Sequence, residues 1–206
     1  MVHVAEIRVN AIELPLPVRK GWARRSFDVF VSLSVLLITS PILLLAVIAI
    51  MIESPGSPFY LQHRLGLAGM PFYIIKLRTM IRDAERVCGP KLADENDPRI
   101  TTVGRFLRKT HIDELPQFIN VLKGDMAIVG PRPERPELHG EICTDLPSYG
   151  KRLCIEPGIT GLAQVRGDYH LDFRYKLKYD MLYIRKQSIF LDLKIIAATL
   201  ILILPF

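Results

Sequence analysis

The segment from Arg105 to Pro133, RFLRKTHIDELPQFINVLKGDMAIVGPRP, runs a basic stretch into two adjacent carboxylates, a proline, a short apolar run and a Gly-Pro-Arg-Pro turn. From Val103 to Ile112 the cations Arg105, Arg108 and Lys109 recur at helical spacing, which predicts a helix carrying all of them on one face, able to hold one anion. Pro116 disfavours the α region for its predecessor and is tolerated in a first turn, so a second helix is expected from Pro116 to Lys123, closed by Gly124. Asp113 and Glu114 then stand at its mouth, where free N–H groups and the helix dipole favour both bound phosphate and an ionised carboxylate. Adjacent helical residues project about 100° apart at ~3.6 residues per turn, so the pair is expected to divide its work rather than share a proton. Nucleophile and metal ligand are both within its chemistry; so is plain pairing with the nearby arginines.

Upstream, Val29 to Ile52 holds no charged residue across 24 positions and follows the basic cluster Arg19, Lys20, Arg24 and Arg25. As a helix it would measure about 36 Å at ~1.5 Å per residue, enough for a hydrocarbon core of about 30 Å. Its length and late start do not fit a cleaved signal peptide. Ser40-Pro41 divides the run into halves of roughly 18 Å each. Proline removes one backbone hydrogen bond there, and Ser40 can bond the freed carbonyl. Periodicity alone leaves a kinked spanning helix and a re-entrant one both open.

Beyond Glu53 the pattern is mixed. Phe59 to His63 and Phe72 to Thr79 read as strands of a hairpin, with Lys76 and Arg78 on one face as phosphate ligands or as solvated cations. Ile81 to Val87 reads as a short helix, and Asp94, Glu95 and Asp97 lie in an acidic loop without calcium-loop spacing. Glu134 to Ile142 is expected to be helical. Lys151 to Ile155 and Gly161 to Val165 are expected as extended pieces around a tight Pro157-Gly158 turn that can bring Gln164 against a ligand. Phe173 to Lys186 reads as a basic amphipathic helix with Tyr175, Tyr179 and Tyr183 every fourth residue, suited to a membrane interface or to packing. Ile195 to Phe206 gives 12 uncharged residues, too few for a second span.

Together these motifs resemble the bacterial sugar transferases, the monotopic phosphoglycosyl transferases. The resemblance rests on Arg108, on Asp113-Glu114-Leu115-Pro116-Gln117, on Asn120-Val121-Leu122 with Gly124-Asp125-Met126, and on Val129-Gly130-Pro131-Arg132-Pro133. It extends to QHRLG at Gln62, YIIKLRTM at Tyr73, DPRIT at Asp97, PGITGLAQV at Pro157 and LDLKII at Leu191. His111 stands where serine is frequent, and Leu162 where tryptophan is common. The resemblance implies a re-entrant helix broken at Ser40-Pro41 with both ends cytoplasmic. It also implies transfer of a sugar 1-phosphate from a UDP-sugar to polyprenyl (undecaprenyl) phosphate, with Mg²⁺. Asp113 would be the nucleophile, Glu114 would serve metal or acceptor activation, both would be metal ligands, and Lys76, Arg78, Arg108, Arg132 and Gln164 would contact substrate or phosphate.

A net charge of +6 over 206 residues suits anionic partners, and the apolar run directs that reading to a membrane rather than to nucleic acid. Cys88, Cys143 and Cys154 are odd in number and lack zinc or C-x-x-C spacing, which fits a reducing compartment. No P-loop or dinucleotide fingerprint is present. The expected fold is α-rich α/β: a basic tail over 1–25, a re-entrant membrane helix over 26–53, and a small cytoplasmic catalytic domain over 54–206 with short strands and interfacial amphipathic helices. The expected location is the bacterial inner membrane. A membrane-bound phosphohydrolase and a non-catalytic adaptor for anionic lipid are the alternatives, and a homo-oligomer is left open.

Overall fold

The apolar run folds as one helix, α1 (Trp22–Glu53), which contains Pro41 and takes in Arg24 and Arg25 at its start. In this computed structural model, residues 21–82, 97–167 and 172–203 are described. The tail over 1–20, the helix expected at Ile81 to Val87 beyond Arg82, and Cys88, Asp94 and Glu95 lie outside them. Pro41 has no N–H for the Leu37 carbonyl, and the Ser40 hydroxyl donates to that oxygen at 2.8 Å, as the Ser-Pro pair predicts.

Between Ser32 and Ala46 no residue of α1 is buried, and Leu37 and Ile38 are about three-quarters exposed, at 77% and 75%. Both ends of the helix are packed. At its start Phe27 and Val31 join the main core, and Arg25 donates to the carbonyls of Val121 and Leu122. At its end Ala46 and Ile50 pack on Leu77 and Leu107. Glu53 there accepts from the N–H groups of Thr102 and Val103 at 2.7 and 3.0 Å.

A hairpin follows: β1 (Phe59–Leu65) and β2 (Pro71–Leu77) pair antiparallel, with Phe59 opposite Leu77 and Tyr60 opposite Lys76. Next comes α2 (Thr102–Lys109), capped by the Thr101 hydroxyl on the Gly104 N–H. Gly104 is required because a Cβ would collide with the Thr79 carbonyl. The helix stops before the expected Ile112, since His111 adopts a left-handed conformation at φ 56°, and a 3-10 turn over Ile112–Glu114 follows. Then α3 (Gln117–Lys123) ends at Gly124 with φ 92°, as its proline start and glycine stop predict.

The chain continues through β3 (Ala127–Val129), α4 (Pro136–Asp145), a 3-10 stretch over Pro147–Cys154, and β4 (Gly158–Thr160). It closes with α5 (Leu162–Arg166), α6 (Phe173–Lys186) and α7 (Ile189–Ile203). β3 and β4 pair in parallel, Ala127 opposite Gly158 and Val129 opposite Thr160. Two sequence expectations are corrected here. Lys151 to Ile155 is largely 3-10 helical and Gly161 to Val165 lies mostly in α5, while the strand between them is Gly158–Thr160. The parallel pair is too short to show alternation, and it forms because Gly130 and Gly158 allow backbones to approach where any Cβ on Gly158 would strike the Gly130 nitrogen. Met126, Ile128, Val129, Ile155, Tyr183 and Ile195 form the main core around this pair.

The α-rich α/β expectation therefore holds, with short strands and one N-terminal apolar helix long enough to cross a membrane by length and composition.

Candidate active site

Lys76 is fixed before it meets any carboxylate. The fully buried Asn120 accepts from the Ile75 N–H at 3.0 Å and donates to the Tyr73 carbonyl at 2.7 Å, pinning β2 against α3. Asp125 lies 3.1 Å from the same amide nitrogen and accepts from it. Between Asn120 and Asp125 the turn at Gly124 brings the two side chains back together.

From β2, the Lys76 ammonium reaches Glu114 Oε1 at 2.6 Å. Arg132 arrives from the other side: its Nη2 donates to the same oxygen at 2.9 Å. Arg132 follows β3 through Gly130-Pro131, held where the Gly130 N–H donates to Thr160 and the Gly158 N–H donates to Pro131. The next two residues are clamped as well. Pro133 O accepts from Arg64 at 2.9 Å, and Glu134 O accepts from the Leu65 N–H at 3.1 Å. The Glu134 side chain meets the Tyr149 hydroxyl and Arg152, which is itself buried in an ion pair with Asp180 at 2.9 Å.

The adjacent carboxylates end in different electrostatic states. Burial alone would raise Glu114, but Arg132 and Lys76 outweigh it and hold the carboxyl well below its usual range. Asp113 is 8% exposed, and among the described residues no hydrogen bond reaches its carboxylate. Burial, reinforced by the Glu114 charge, pushes it up to about 6, against the pull of Lys76, Arg108 and His111. The pair sits in the 3-10 turn that leads into α3, where desolvation sets the Asp113 pKa above that of an ordinary aspartate. Burial also lowers Lys76, in spite of its contact with Glu114.

Arg108 is oriented by a 2.8 Å bond from Nε to the Thr79 hydroxyl, and its charge bears on Asp113. Arg105 and Lys109, predicted to share its face, are exposed on α2. Arg78 turns elsewhere: its guanidinium bonds the carbonyls of Ser54 and Pro55, where α1 ends. Gln164 donates to the Ile159 carbonyl at 3.1 Å and serves the β4–α5 turn, and the structure does not bring it to Glu114. Ser40 and Pro41 lie in the exposed middle of α1. Asp97 is bound by Arg99.

Of the residues expected at the site, the structure brings Lys76, Glu114 and Arg132 into contact, with Asp113 and Arg108 nearby, and it gives positions to Asn120, Asp125, Arg64 and the Glu134–Arg152–Asp180 chain, to which the sequence assigned no role.

Among the described residues no set of three or more His, Cys, Asp or Glu converges as a metal cage. Magnesium does not need one. It keeps several waters and binds through one or two carboxylates plus substrate phosphates. The buried Asp113 carboxylate, with no donor upon it, fits that requirement, and Glu114 has one oxygen not taken by Lys76 or Arg132.

A family model described as bacterial sugar transferase matches residues 19–205. The chain is 38% identical over 201 residues to the UDP-N-acetylgalactosamine-undecaprenyl-phosphate N-acetylgalactosaminephosphotransferase of Aeromonas hydrophila, covering 96% of this chain and 47% of that protein. It is 43% identical over 193 residues to the UDP-glucose:undecaprenyl-phosphate glucose-1-phosphate transferase of Caulobacter vibrioides, covering 90% and 71%. It is 39% identical over 186 residues to the exopolysaccharide production protein PSS of Rhizobium leguminosarum bv. phaseoli, covering 86% and 93%. The chain therefore spans about half the length of the Aeromonas protein and nearly all of the Rhizobium one.

Proposed function

Since the chain belongs to the bacterial sugar transferase family, we propose that it transfers a sugar 1-phosphate from a UDP-sugar to polyprenyl (undecaprenyl) phosphate, as its relatives' names describe for them. The observation that carries the mechanism is the division between the two carboxylates. Glu114 is clasped by Lys76 and Arg132, whereas Asp113 is buried, unbonded and more basic than an ordinary aspartate.

An Asp113 oxygen forms a bond to the phosphorus that bears the sugar. The bond from that phosphorus to the bridging oxygen breaks, and its electron pair leaves with UMP. A phosphosugar ester on Asp113 remains. An oxygen of polyprenyl phosphate then attacks the same phosphorus, returns the carboxylate and gives polyprenyl diphosphosugar. Lys76, Arg108 and Arg132 supply positive charge where the diphosphate lies. Glu114 keeps Lys76 and Arg132 in place. Mg²⁺, held by Asp113 and Glu114 with substrate oxygens, would neutralise charge on the diphosphate.

The membrane reading has its own support. Both ends of α1 pack on the same folded unit, while its middle around Ser40-Pro41 is exposed and apolar. A helix crossing a bilayer of about 30 Å would carry its ends to opposite faces, whereas a re-entrant one returns them to one face. The proposal also puts the catalytic domain on the cytoplasmic face of the bacterial inner membrane, carrying out the first membrane step of a surface glycan or exopolysaccharide pathway, a pathway role supported by the names of its relatives.

The test is a donor-only reaction. Enzyme and UDP-sugar without lipid should release about one equivalent of UMP per site and leave a sugar phosphate on the protein, visible by intact mass. Asp113→Asn should abolish both. Continuous UMP release without acceptor would identify a phosphohydrolase instead. Full turnover with acceptor but no adduct without it would remove the covalent step, and no reaction with any donor would leave the lipid-binding adaptor.

A further inference from the structure

Arg64 is a half-buried cation with no carboxylate at ion-pair distance among the described residues. Its Nη1 donates to Pro133 O at 2.9 Å and its Nη2 to Gln62 Oε1 at 2.6 Å, both neutral acceptors. Its Nε is buried with no partner. Among the described residues no carboxylate lies within ion-pair distance of it. Burial, with the nearby charges of Arg132 and Arg135, lowers its pKa to about 10, only partly offset by Glu134 and Glu114. A half-buried guanidinium with an unpartnered Nε, held beside other arginines, is completed by an anion.

The side chain is built to stay there. Tyr60, Gln62 and Arg64 alternate along one face of β1; Gln62 donates to the Tyr60 hydroxyl at 3.1 Å and accepts from Arg64. Tyr60 stands opposite Lys76 across the hairpin, and Arg64 opposite Phe72. Four residues of strand, at ~3.3 Å each, thus separate the cross-strand positions by about 13 Å. Cations stand at both ends of that face: Lys76, bonded to Glu114, at one end, and Arg64, beside Arg132, at the other.

On the transferase reading given above, we infer that Arg64 is a substrate-binding residue that takes its missing anion from the phosphate leaving with the nucleotide. Its position selects that phosphate over the one attacked. The charges acting on Asp113 are Glu114, Lys76, Arg108 and His111, whereas those acting on Arg64 are Arg132, Glu134, Arg135 and Glu114. Glu114 is common to both sets, and Arg64 is bonded to the carbonyl of Pro133, the residue that follows Arg132, which itself reaches Glu114. When the bridging bond breaks, the electron pair makes UMP a dianion, and a planar fork beside Arg132 is suited to hold it.

The experiment compares UMP, uridine, inorganic phosphate and polyprenyl phosphate as ligands of the full chain in lipid nanodiscs, by equilibrium binding. Arg64→Gln should lose about ten- to a hundredfold in UMP affinity, the worth of a charge-assisted contact, while uridine binding stays unchanged. Arg64→Lys should recover part of the loss. If the Gln variant does not fold, the Lys variant alone decides, by weakening UMP but not uridine. Equal losses for UMP and uridine would reduce Arg64 to a clamp on Pro133 and overturn the inference. So would unchanged UMP affinity in a folded Arg64→Gln chain that still forms the donor-only adduct, which would leave the transferase reading standing. A loss confined to polyprenyl phosphate, or to inorganic phosphate without UMP, would also overturn it. A wild-type chain that neither binds UMP nor forms the adduct would overturn the transferase reading and this one together.

Discussion

Arg24, in the first turn of α1, donates from Nε to the Asp192 carboxylate of α7 at 3.1 Å, joining positions 168 residues apart in the sequence. The Tyr183 hydroxyl donates to the other Asp192 oxygen at 2.7 Å. Asp192, which with Lys194 supplies the charge in a mostly apolar C-terminal helix, is therefore the point where α1, α6 and α7 are tied together.

Removing that carboxylate strands a largely buried guanidinium. Asp192→Ala is expected to destabilise the folded chain by about 3 kcal/mol, in the range for breaking a buried ion pair. Thermal unfolding in detergent checks it, and Asp192→Asn should lose less because the amide still bonds.

The separation of Arg78 from Lys76 yields opposite outcomes for two neighbouring cations. Lys76→Ala should lower kcat/KM by about ten- to a hundredfold, corresponding to about 1.5 to 3 kcal/mol of charge-assisted contact. Arg78→Ala should leave kcat/KM within about twofold per folded molecule and reduce stability instead, since its partners are the carbonyls of Ser54 and Pro55 just after α1. Steady-state kinetics beside melting curves separates the two.

His139 gives the chain an acid-sensitive point. It is 3% exposed, its Nδ1 has no partner, and it packs against Tyr149 near Arg152. Burial and the Arg152 charge lower its pKa below 6.5, in spite of Glu134. The unfolded chain then binds the proton more readily than the folded one, so the stability due to neutral His139 is complete above 6.5 and is lost as pH falls below it. Melting temperature should decline more steeply on acidification from pH 7 in the wild type than in His139→Gln. Parallel curves would contradict this.

The topology reading predicts that tags at residues 1 and 206 are accessible from the same side of the membrane. Pro41→Ala restores an N–H to the Leu37 carbonyl that Ser40 now occupies, and should straighten α1 and shift molecules toward a spanning form. Protease or thiol-labelling accessibility of the two tags measures both. Opposite sides in the wild type would remove the re-entrant assignment.

The local features were legible in residues 29–52 and 105–133 because they depend on near neighbours. An uncharged run makes a helix, a proline removes one donor and a serine beside it replaces one, and Gly124 ends α3 by its backbone freedom. Strand alternation placed Lys76, and the adjacency of Asp113 and Glu114 already implied different surroundings for each. The tertiary structure alone decided what those surroundings are. Arg132 and Lys76 come from separate elements to meet on Glu114, while burial raises the pKa of Asp113 beside it. Arg78 alternates with Lys76 just as a second ligand would, but β2 ends before it and its side chain takes the carbonyls of Ser54 and Pro55 that follow α1. The pairing of β3 with β4 and the burial of Arg152 against Asp180 lie beyond any periodicity. Each depends on chain segments brought together only when the core around Val129, Ile155 and Tyr183 closes.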